Sequence, residues 1–149
     1  MLLHRQPEFS VIDAPSILGL RPTGVELLPK ALRAAGLLEQ LKADYAGMVA
    51  PTSAYNYRRD DGTGLLNPQA IKDYTLKLAE AVNGELRKNK FPIVIGGDCS
   101  ILIGNILALR RLGRYGLFFI DEEGGSKNVR DATGGGGQNL EFNAYVDGP

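Results

Sequence analysis

The chain has 149 residues, enough for one domain that buries roughly two-thirds of the surface its unfolded form exposes. Seventeen basic and seventeen acidic side chains cancel, which argues against a nucleic-acid-binding stripe and against an acidic disordered tail. The single cysteine excludes an intrachain disulfide and suits a reducing compartment, no apolar run reaches the ~18 residues that span a bilayer, and the first eight residues lack the pattern of a secretion signal, so a cytoplasmic location is expected.

In chain order, Phe9 to Asp13 reads as a short strand closed by Pro15, and Gly19 to Gly24 as a loop. Pro29 suits the first position of a helix that Gly36 stops. Tyr45 to Ala50 reads as a second strand ended by Pro51, and the polar stretch Thr52 to Leu66 as an exposed loop. Asn67-Pro68 opens the clearest helix, with Asn67 as its cap. Ile71, Tyr74, Leu78, Ala81 or Val82, and Leu86 form its apolar stripe, opposite Lys72, Asp73, Lys77, Glu80 and Arg87. Gly84 weakens that helix near its end.

The continuous apolar run 91–95 has the character of a central parallel strand covered on both faces. A nearly all-apolar helix, Ile101 to Arg111, follows and should be buried against the sheet and a neighbour. Gly104 in its middle suggests close approach of helix and sheet, and Gly113 ends it. Tyr115 to Ile120 is a further strand ending in Asp121. Composition then breaks. Residues 122–139 are polar and Gly-rich and read as a mobile loop, while the alternation of Leu140, Phe142, Ala144 and Val146 favours one weak strand. The expected organisation is therefore βα units over 1–121 and a divergent Gly-rich segment over 122–149.

Chemistry in an open α/β sheet collects outside the carboxyl ends of parallel strands. Gly96-Gly97-Asp98-Cys99-Ser100 and Asp121 stand at two such ends, so Asp98, Cys99 and Asp121 are expected to share a crevice. Each has a plainer reading. Cys99 is a small apolar group, Asp98 an acceptor for loop amides, Ser100 a helix cap, Glu122 and Glu123 solvated loop acids, and His4 an exposed terminal residue. The run Gly134 to Gly137 lacks the strand before it and the Gly-Lys-Ser/Thr ending of a phosphate loop.

These residues resemble the ureohydrolase family of arginase, agmatinase and formimidoylglutamase. Its first signature, Gly-Gly-Asp-His-Ser, reads here Gly96-Gly97-Asp98-Cys99-Ser100, with Cys99 in the place of a ligand histidine. Its second, Asp-x-His-x-Asp, reads Asp121, then Glu123 in the histidine position and Gly125 in that of the second aspartate. Gly24-Val25-Glu26, Pro29, Leu32-Arg33 and Gly36-Leu37 resemble the family's opening βα unit, and the likeness covers about residues 9–121. It implies a three-layer αβα fold with a mostly parallel sheet, incomplete in this chain.

The family's chemistry would be metal-dependent hydrolysis of a guanidino or amidino C–N bond, using two manganese ions and a bridging hydroxide, often in homo-oligomers. Of the ligands expected in this part of the chain only Asp121 is kept in kind, and no Asp-x-Asp-x-x-Asp-Pro segment supplies the rest. Manganese prefers carboxylate and imidazole, whereas a thiolate prefers zinc, iron or Cu(I). Cys99, Asp121 and Glu123 thus form a candidate set for one zinc-like ion, supported by the loop of Gly96, Gly97, Asp98 and Ser100; no catalytic residue is assigned. The expectation is a chain that is impaired or inactive alone and takes a small guanidino or amidino substrate if active. Two alternatives stay open: a non-catalytic member that acts by association, and an unrelated doubly wound nucleotide-binding module, for which the third glycine of the dinucleotide fingerprint is missing.

Overall fold

The structure, a computed structural model, describes residues 7–115. Its elements run β1 (Glu8–Ala14), a short 3-10 turn (Val25–Leu27), α1 (Leu28–Ala34), α2 (Leu37–Leu41), β2 (Asp44–Met48), α3 (Pro68–Arg87), β3 (Lys90–Gly96) and α4 (Ile101–Leu112). The three strands form one parallel sheet in the order β2-β1-β3. β1 and β3 pair without interruption from Glu8↔Lys90 to Ala14↔Gly96, while the β1–β2 register shifts between Val11 and Ile12.

Strand alternation assigns the layers. Ile12 and Ala14 face a core shared with Tyr74, Leu78, Ala79 and Val82 of α3 and Ala108 of α4. Val11 and Asp13 face the other way, where the Arg33 Nε of α1 donates to the Asp13 carboxylate at 2.9 Å. The Tyr45 hydroxyl donates to the same Asp13 oxygen at 3.3 Å, and the Arg33 guanidinium lies 4.6 Å from the centre of the Tyr45 ring. One buried carboxylate therefore ties α1 to two strands. The arrangement is a partial αβα sandwich, as expected.

The structure departs from the sequence expectations at identifiable points. β2 spans Asp44–Met48 rather than 45–50, because Val49 has left the strand, although its amide still reaches the Asp13 carbonyl at 2.8 Å. Gly36 does end α1, in the left-handed region at φ 86, but its αL turn also launches α2, which the sequence pattern did not suggest. Among the described residues β1 is flanked on both sides and its last five residues are buried, whereas β3 buries Ile95 alone; beyond Tyr115, the strand expected over Tyr115 to Ile120 lies outside the described residues. Phe91, 58% exposed, packs edge-on against Phe9. Similarly, α4 fully buries only Gly104 and Ala108. The close approach at Gly104 is to a helix rather than to the sheet: a Cβ there would stand 3.0 Å from Leu78 of α3.

Two glycines in the helical layer should respond oppositely. Gly84 has no atom within 4 Å of an added Cβ, so Gly84→Ala should stabilise by up to ~1 kcal/mol through helix propensity. Gly104→Val should force α3 and α4 apart and cost about 1–3 kcal/mol. Urea unfolding measures both.

Glu85 is buried, and its carboxylate meets the Lys88 ammonium at 2.6 Å. The hydrogen bond to Lys88 holds its pKa below the usual 4.5, against the opposing effect of burial. A depressed acid pKa adds stability above the unfolded value and loses it as pH falls through the folded one. Wild-type stability should therefore decline as pH drops below 4.5, and Glu85→Gln should flatten part of that decline in urea titrations run at several pH values.

Candidate functional site

The site begins where β1 and β3, side by side and parallel, deliver their following loops to the same end of the sheet. Gly97 lies against Ser16, and any Cβ on it would overlap the Ser16 carbonyl oxygen, so this position requires glycine. The close approach lets the Asp98 amide donate to the Ser16 carbonyl at 2.9 Å.

Asp98 is 2% exposed, and both of its oxygens are occupied. Oδ2 accepts from the Gly19 amide at 2.9 Å and the Ser16 hydroxyl at 3.3 Å; Oδ1 accepts from the Ser100 amide at 2.7 Å. The acid binds two βα loops to each other and caps the start of α4. Ser100 is the N-cap residue by position, but its own hydroxyl makes no capping bond and is buried with no partner among the described residues. The expected serine cap is thus replaced by an aspartate two residues earlier.

Cys99 is exposed, which overturns its reading as a small buried apolar group. Asp98 and Cys99 are therefore sent different ways by one turn: the carboxylate inward, the cysteine to the surface. Asp98 is turned inward, and Asp121, the third member of the expected crevice, lies outside the described residues. Asp121, Glu123, Gly125, His4 and the run Gly134 to Gly137 lie outside the described residues.

Several residues that shape this region carried no functional signal in the sequence. Asn67, expected as a cap for α3, adopts φ 48 and makes no capping bond. Its Nδ2 donates to the Leu18 carbonyl at 3.0 Å, and its Oδ1 accepts from the Asn56 amide at 2.7 Å. The Tyr55 hydroxyl donates to the Leu20 carbonyl at 2.6 Å. Tyr74 donates its hydroxyl to the Val49 carbonyl at 2.7 Å, and burial, helped by the charge of Asp98, raises its pKa so that it stays a donor. A 480 Å³ cavity opens beside the start of α3, lined by residues that include Arg58, Arg59, Asp60 and Asp61. Its charges balance in sign, and Arg58 is already paired with Asp61 at 2.9 Å.

Residues 8–121 match the model of the arginase family. The chain belongs to the arginase family. It is 34% identical to an arginase of Staphylococcus aureus (strain COL) over 160 residues, covering 93% of this chain and 53% of that protein. It is 30% identical to an arginase of Bacillus caldovelox, covering 85% of this chain and 44% of that one. The solved Bacillus caldovelox arginase superposes with a TM-score of 0.65 over 72% of this chain and 38% of its own length, at 30% identity. The arginase of Bacillus cereus gives 0.60 over 71% and 35%, at 29% identity. The chain thus spans about half the length of the relatives it matches.

Among the described residues no three histidine, cysteine, aspartate or glutamate side chains come together in a group able to hold a metal ion. Of the candidate donors, Cys99 alone is described and accessible. The described donor set does not fit a paired manganese centre.

Asp98→Ala should strand the Gly19 and Ser100 amides and the Ser16 hydroxyl, and cost about 3 kcal/mol in urea unfolding. Cys99→Ala, at an exposed position, should cost less than Asp98→Ala in the same unfolding measurement.

Proposed function

We propose that this chain carries the scaffold of an arginase-family hydrolase for guanidino or amidino C–N bonds, with a metal centre that is altered and weak. The observation that carries the reading is the Gly96–Ser100 turn. Its backbone is held by Ser16 and Asp98, and the residue at its tip is a cysteine. The family match over 8–121 supports the class of reaction.

The donor set argues for the altered centre. Both Asp98 oxygens already accept hydrogen bonds from the two loops. Cys99 with Asp121 and Glu123 suits one soft divalent ion such as zinc better than a manganese pair. A bound divalent ion would lower the pKa of its water and neutralise developing charge. With one ion at most, the chain by itself should turn over guanidino substrates slowly or not at all.

A second reading is a non-catalytic family member that acts by association, including with copies of itself. It rests on apolar side chains of β3 that stay accessible, Phe91 at 58% exposed and Ile93 and Val94 half-buried. Among the described residues no helix is long and apolar enough to cross a membrane.

Mass-spectrometric metal analysis of the purified chain, with zinc-dependent melting and urea release from arginine and agmatine, tests both readings. Zinc at about a hundred times its dissociation constant should add about 2.7 kcal/mol, raising Tm. Asp121→Ala and Cys99→Ala should each remove that rise. No metal-dependent rise in the wild type would refute the metal centre and leave the association reading. Rapid urea release with added manganese would refute the proposed impairment.

A further inference from the structure

We propose that Asn67 is a positioning residue for the turn that carries Cys99, acting through a single clamped peptide group. The inference concerns how that turn is held; its relevance to metal rests on the reading of Cys99 given above. The Leu18 carbonyl and the Gly19 amide belong to the same peptide unit. That unit is planar and trans, since the described chain contains no cis peptide bond. Asn67 Nδ2 donates to its oxygen at 3.0 Å, and its N–H donates to Asp98 Oδ2 at 2.9 Å. Both ends of one peptide dipole are therefore engaged, so that each bond polarises the other.

The relay continues at both ends. Beyond Asn67 its Oδ1 accepts from the Asn56 amide, and beyond Asp98 its Oδ1 accepts from the Ser100 amide that opens α4. Asn67 is 8% exposed, immediately before the 20-residue helix α3. It is thus a fixed post on the longest rigid element described. Its left-handed backbone at φ 48 aims the amide group away from α3 and toward loop 14–20. Asparagine is among the few side chains that take this conformation at low cost, and proline next in sequence disfavours the ordinary helical one. Loosening the post should release the clamped peptide, then Asp98, then the backbone on which Cys99 sits.

The test uses the whole chain with two variants. Asn67→Gly keeps the left-handed backbone and removes both side-chain bonds. Asn67→Asp keeps the acceptor for Asn56 and removes the donor to Leu18, and serves as the milder variant should the glycine fail to fold. Amide hydrogen exchange by NMR should become about fivefold faster at Gly19 and Ser100 in both, the effect of one lost hydrogen bond, with Val11 and Ile12 of β1 unchanged. Co2+ titration, followed by the thiolate charge-transfer absorption, should show about fivefold weaker binding in both variants, with the same band at saturation. Unchanged exchange at Gly19 and Ser100 would overturn the proposal. So would uniform acceleration at all amides, which is the mark of a merely structural role. Absence of Co2+ binding in the wild type would instead refute the metal reading, and exchange at Gly19 and Ser100 would then decide the relay by itself.

Discussion

One buried carboxylate organises the carboxyl end of this sheet. Asp98 accepts three hydrogen bonds, from Ser16, Gly19 and Ser100, while its own amide reaches the Ser16 carbonyl. A charge this deeply placed is tolerable only when its acceptor sites are filled, and hydrogen bonds to a charged group are worth roughly twice those between neutral ones. The arrangement also depends on a residue with no side chain. Gly97 lets the two loops touch, and without that contact the donors from loop 14–20 could not converge on the acid. The glycine pair and the aspartate are therefore one device.

A second buried acid works on the opposite face through one oxygen alone, its Oδ1 having no partner among the described residues. Asp13 holds Arg33 of α1 and Tyr45 of β2, with the guanidinium stacked on the phenol ring. Here too an acid at the end of β1 joins separate elements. The sheet is only three strands wide among the described residues, and two of them are edges. β2 in particular is mostly exposed. Directed polar ties at Asp13 and Asp98 fix how α1 and the two βα loops meet the sheet.

The alternation of strands and helices was legible from the sequence, because Pro29, Gly36 and Pro68 punctuate it and the stripe of Tyr74, Leu78 and Val82 keeps helical period. What escaped was decided by tertiary contact. The apolar run 91–95 marks β3, but composition cannot say which of its side chains are covered, and only Ile95 is buried. Gly104 signals close approach but not to what; Leu78 of α3 could be named only once α3 and α4 were seen to pack together. Asn67 before a proline has the signature of a cap, yet the left-handed backbone turns the side chain toward Leu18. The plainer reading of Asp98 as an acceptor for loop amides is the one the geometry supports. The plainer reading of Cys99 is not, since the turn exposes it, and that of Ser100 holds by position only, its hydroxyl making no capping bond.

Family likeness and chemical capacity are carried by different atoms of the same five residues. Gly97 and Asp98 work through backbone fit and loop tethering. Only the side chain at the tip of the turn faces outward, and that is where a cysteine stands. None of the three hydrogen bonds that Asp98 accepts comes from Cys99. The arginase-family scaffold and the donor at the tip of the turn therefore rest on neighbouring residues with different tasks, Asp98 tying the loops and Cys99 reaching the surface.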